Sequence, residues 1–164
     1  MEIMLAYDNS RNARIALDAV RTMFGPLKPT VTLVSVVEDV GSTTSGADDM
    51  FRDQYNSQKA GVEAAAAELA AAGIPAKVVL AEGDARKMIL RATIERQPDL
   101  LVMARHSHHP DRGALGFITK RIDALVEEFD HMTFGSVSAF LARRATCPLL
   151  IIPTHAEAGQ GRDR

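Results

Sequence analysis

The sequence predicts a single-domain α/β protein: an open parallel sheet of five strands with helices on both faces. Two observations carry this. Short, continuous apolar runs rich in Val, Ile and Leu alternate with helical stretches along nearly the whole chain, and strands buried on both faces read as such runs rather than as an apolar/polar alternation. The 164 residues, 46% of them hydrophobic, suit one domain with a real core.

The elements follow in order. Ile3 to Tyr7 forms a first apolar strand, and Asp8, Asn9 and Ser10 supply a turn with capping side chains for a helix over about 12–24. Ala13, Ala16, Leu17, Val20 and Phe24 share one face of that helix, which Gly25 and Pro26 end. Thr30 to Val37 is a β-branched second strand. A polar, glycine-bearing loop then leads to a long helix over about 48–72, closed by Gly73. Ala76 to Leu80 reads as the third strand. Gly83 and Asp84 cap a helix that runs through Gln97, and Pro98 ends it. Asp99 to Met103 is the fourth strand, and Pro148 to Ile152 the fifth.

Charge and composition exclude several function classes. Nineteen basic against twenty-one acidic residues give a net charge of −2, with no Lys/Arg block to attract a nucleic-acid backbone. Two Tyr, six Phe and no Trp leave few platforms for stacking bases. The lone Cys147 rules out an intrachain disulfide framework and fits a reducing compartment. No run reaches the length of a membrane span, and the N-terminus passes almost at once into strand-like sequence. The expectation is a cytoplasmic protein without nucleic-acid or membrane partners.

The connection between Leu100 and Ser138 is unusually long. It begins with Arg105, His106, His108 and His109 and ends at Gly135 and Ser136, where the last helix starts. Free N–H groups at a helix start suit an anion, and Arg105 and His106 can add side-chain donors. The histidines match no strong metal-ligand spacing, so no metal site is assigned. Leu115, Ile118, Ile122, Leu125, Val126 and Phe129 form an apolar stripe, which predicts an amphipathic helix inserted after the fourth strand. It reads as a lid, a subunit contact or a satellite packing element. The domain is therefore expected over 1–154, with the insertion at about 105–134 and a flexible tail over 155–164.

The run Asp8 to Leu17, the segment Glu82 to Leu90, Pro98 to Met103, Gly135 to Ser138 and Cys147 to Ile152 together resemble the universal stress protein family. That resemblance implies the strand order 3-2-1-4-5 and a homodimer formed through the last strand. It also implies an adenine-nucleotide ligand, ATP or AMP, in one branch and none in another; Mg²⁺ is a candidate companion of the nucleotide. It places Asp8 where an acidic side chain faces the nucleoside, although Asp8 also reads as a helix cap. Val36 and Val37 fall where the second strand meets adenine, and equally read as core. Gly135, Ser136 and Ser138 fall at the phosphate-side helix start, and equally read as ordinary capping. Nucleotide-binding members have glycine directly after strand four and again three residues later. Here Ala104 and Ser107 occupy those places, and the Gly-Ser pair follows much later.

Three functions stay open on this reading. One is an adenine-nucleotide-binding stress-response or regulatory protein without established catalytic chemistry. The second is a homodimeric interaction module of the same fold. Slow nucleotide hydrolysis is the third, and the chain has no Gly-Lys-Ser/Thr phosphate loop to support it.

Overall fold

The computed structural model describes residues 1–38, 47–105 and 136–153. They form β1 (Glu2–Ala6), α1 (Arg11–Phe24), a 3₁₀ turn (Gly25–Leu27), β2 (Thr30–Val37), α2 (Ala47–Ala71), β3 (Ala76–Glu82), α3 (Ala85–Arg96), β4 (Leu100–Ala104), α4 (Ser136–Arg144) and β5 (Leu149–Ile152). The strands make one parallel sheet in the order β3-β2-β1-β4-β5. The expected fold and strand order are met. The expected inserted helix and the tail lie outside the described residues.

Strand periodicity divides the core in two. Ile3 and Leu5 of β1, Val31 and Leu33 of β2 and Val102 of β4 face α1 and α2, where they meet Leu17, Val20, Val62 and Leu69. Met4, Val34, Leu101 and Met103 point the other way, to Ile89 and Ala92 of α3 and Leu141 of α4. Burying each such side chain contributes roughly 1.5–3 kcal/mol, so both faces of β1, β2 and β4 are held firmly. Arg86 of α3 and Arg144 of α4 lie 6.0 and 4.4 Å from the centre of the Phe140 ring, which joins these two helices near the sheet's carboxyl edge.

Helix ends follow local chemistry. Ser10 caps α1 by accepting a hydrogen bond from the Ala13 N–H at 3.0 Å. Gly73, at φ +78°, closes α2, with the Ile74 N–H reaching back to the Leu69 carbonyl at 2.9 Å. Most boundaries differ from the sequence reading by a residue, as at β1, β4 and β5, and two differences have a clear physical cause. α3 stops at Arg96, because Gln97 takes a left-handed cap conformation (φ 47°) before Pro98. β3 continues to Glu82, because Val36 and Val37 of β2 extend far enough to pair with Ala81 and Glu82.

Candidate functional site

The strand order reverses at β1. The chain passes from β1 to β2 on one side, while β4 pairs on the other, and the diverging connections open a crevice above the carboxyl ends of the strands. A cleft of about 400 Å³ occupies that place, within the size range of small-ligand sites. Its apolar wall includes Ala6, Val34, Val36, Met103 and Val137. Asp8, Ser10, Asn12, Glu38, Gln58 and Ser136 supply polar groups around it.

The turn after β1 sets the first of these groups. Asp8 is exposed, and its Oδ1 accepts the Ser10 N–H at 3.0 Å. Ser10 holds the helix cap, so the capping alternative for Asp8 falls away and its carboxylate stands at the cleft. Asn9 adopts φ +62°, a left-handed conformation that asparagine tolerates better than most residues. Asn12 Nδ2 donates to the Arg105 carbonyl at 3.3 Å and so ties the start of α1 to the end of β4. Beneath this turn, burial pushes the Tyr7 phenol above its ordinary pKa, against the pull of nearby Arg14, so it stays protonated.

On the β2 side, Val36 lines the cleft and Val37 does not. Val37 is buried, and its carbonyl accepts the Gly83 N–H at 3.0 Å. Glu38 extends from the strand end, and its Oε1 accepts the Ala85 N–H at 3.2 Å, at the positive end of the α3 dipole. Asp84 caps the same helix and is held by Arg86 at 2.7 and 3.0 Å, which lowers its pKa from 3.8 to about 2.

Ser136 begins α4 and lines the cleft, whereas Ser138 is buried behind it. Arg105 follows β4, and its N–H donates to the Ile152 carbonyl at 2.9 Å. It is not among the cleft-lining residues. The structure therefore brings Asp8, Val36 and Ser136 together on one cavity, and leaves Val37, Ser138 and Arg105 outside its wall. His106 and Gly135 lie outside the described residues.

Several polar contributors escaped the sequence reading as site residues, Ser10, Asn12, Glu38 and Gln58 among them. Glu38 could have been found, since it directly follows a parallel strand and so stands at the carboxyl edge. Gln58 had no local signal, because it sits mid-helix in α2 and reaches the cleft only through tertiary packing. Asp8 and Glu38 make the described lining acidic, and no Lys or Arg lines the cleft among the described residues. No group of three or more His, Cys, Asp or Glu side chains among the described residues forms a metal site. No helix among them is long and apolar enough to cross a membrane.

Comparison with known proteins agrees with the fold. A family model described as the universal stress protein family matches residues 1–153. A universal stress protein family structure from Burkholderia pseudomallei is 22% identical, with a TM-score of 0.67, and the match covers 93% of this chain and 96% of that one. A family protein from Arabidopsis thaliana with AMP bound is 18% identical, with a TM-score of 0.60, covering 96% and 94%. A universal stress protein in complex with cAMP is 19% identical, with a TM-score of 0.62, covering 93% and 96%. No curated protein sequence matches the chain.

Proposed function

The chain belongs to the universal stress protein family, and on that premise we propose that its cleft binds an adenine nucleotide, AMP or ATP, in a homodimeric stress-response or regulatory protein of the cytoplasm. The observation that carries this reading is the convergence of Asp8, Val36 and Ser136 on one cavity of about 400 Å³ at the switch point of the sheet. The apolar wall suits a base, the Asp8 carboxylate accepts from a ribose hydroxyl, and Ser136 at the α4 start offers a donor to phosphate. The AMP and cAMP complexes of similar folds favour the same ligand class. In this reading Arg105, His106 and Gly135 extend the phosphate side, while Val37 and Ser138 support the wall from behind. Two carboxylates in the lining oppose a triphosphate, so Mg²⁺ accompanies ATP in particular. The reading assigns binding and no turnover.

The homodimer forms through β5. That strand is at the sheet edge, pairs among the described residues with β4 alone, and carries no charged residue. An apolar edge of this kind is a template for a second strand.

A second reading, a dimeric interaction module that binds no nucleotide, is favoured by one observation: Ala104 ends β4 where nucleotide-binding relatives resemble one another in having glycine. Calorimetric titration with AMP and ATP, with and without Mg²⁺, separates the two. The nucleotide reading expects saturable binding, weakened roughly tenfold or more in Asp8→Ala through loss of a hydrogen bond to a charged group. A folded, dimeric wild-type protein that gives no saturable heat establishes the second reading instead.

A further inference from the structure

The Gln58 carboxamide is fixed by a chain of constraints behind the cleft. It begins at the backbone carbonyls of Ser57 and Gln58, which can only accept. They hold Asn9 Nδ2 at 3.3 and 3.2 Å. That sets the Asn9 amide with its nitrogen inward, even though its Oδ1 is left buried without a partner among the described residues. The Asn9 side chain lies against Gly61, where an added Cβ would collide with it. The same Nδ2 faces Gln58 Oε1 at 3.4 Å, its two N–H groups shared among three acceptors. Turning the Gln58 amide over would oppose two NH₂ groups, so Oε1 stays toward Asn9. Nε2 stays on the fully buried Ser35 hydroxyl, at 2.7 Å.

A glutamine amide offers two donors and two acceptor positions. Ser35 and Asn9 use one of each, which leaves one N–H and one oxygen lone pair, in a fixed order, on a side chain that lines the cleft. Adenine presents the complement: a ring-nitrogen acceptor beside the 6-amino donor, the pattern a glutamine reads in two hydrogen bonds. A 6-oxo purine puts an acceptor against the amide oxygen and leaves both unsatisfied.

We propose that Gln58 is the base-selecting residue of the cleft, choosing 6-amino over 6-oxo purines, with Asn9 and Ser35 as positioning residues. This rests on the nucleotide reading above.

AMP and IMP test it directly, since they differ only in the 6-substituent and in the N1 proton that the 6-oxo form carries. Competitive titration of wild type, Gln58→Ala and Gln58→Glu gives the AMP/IMP affinity ratio, which a merely structural role for Gln58 would not move. Wild type is expected to prefer AMP by roughly 5- to 150-fold. Gln58→Ala should bring the ratio close to one, and Gln58→Glu, which loses the N–H that meets the ring nitrogen, should lower the preference. Equal binding of AMP and IMP by wild type overturns the inference and leaves the nucleotide reading standing. So does a preference that survives unchanged in Gln58→Ala or in Gln58→Glu. Binding of neither nucleotide overturns the nucleotide reading itself, and this inference with it.

Discussion

Gly61 makes room for an interaction that its own helix would not predict. Alanine there gains about 1 kcal/mol of helix propensity, but its Cβ displaces the Asn9 carboxamide from the Ser57 and Gln58 carbonyls. Losing those two hydrogen bonds costs about 1–3 kcal/mol. The propensity gain offsets only part of this, so Gly61→Ala should unfold in urea at or up to about 2 kcal/mol below wild type while the AMP/IMP ratio falls; a preserved ratio contradicts the positioning role of Asn9. Asp84 gives a separate residue-scale expectation. Its carboxyl is lowered from 3.8 to about 2 by Arg86, so the ion pair's contribution is present above 3.8 and fades as pH falls through about 2. Asp84→Asn keeps a capping side chain and removes the charge. Its Tm should lie slightly below wild type near neutral pH, and the gap should close in acid. A gap that widens in acid refutes the assignment. At this scale Asp8, Ser10 and Asp84 were legible, because turn and cap chemistry is local. Gln58 and Asn9 were not, since their pairing joins residues 49 positions apart.

Strand and helix identities were legible because apolar period and β-branching are properties of short windows. The end of β3 was not, since its last pairs depend on how far the neighbouring β2 extends. Position in the sheet also sets how much each strand contributes. Leu33, in β2 between two neighbours, is fully buried, whereas Leu150 on the edge strand β5 is only half-buried. Leu33→Ala should cost about 2–5 kcal/mol in urea unfolding, and Leu150→Ala roughly half as much or less. Equal losses would mean that the β5 edge is covered as fully as the sheet centre, as a tight dimer through that strand would achieve. Running both variants above and below the dissociation concentration separates these cases.

The whole molecule is a sheet whose order creates the cleft, and the sequence-derived residues reach it unevenly. Asp8 follows β1, Val36 lies near the end of β2 and Ser136 starts α4, so the family resemblance, which points to strand ends and helix starts at the carboxyl edge, was enough to locate them. Val37 and Ser138 were chosen by the same rule, but the alternation of faces along a strand and the turn of a helix bury them behind the wall. The acidity of the lining appears only once β2 and α1 are set side by side, because Asp8 and Glu38 are distant in sequence. The central claim is that this cleft holds an adenine nucleotide, and backbone ¹H–¹⁵N spectra recorded during titration with AMP test it most directly. Saturable shifts are expected at Asp8, Val36, Gln58 and Ser136, with Lys77 and Arg96, which line a smaller hollow at the opposite end of the sheet, unchanged. A titration that leaves those four amides unmoved, or shifts only the opposite end, contradicts the account.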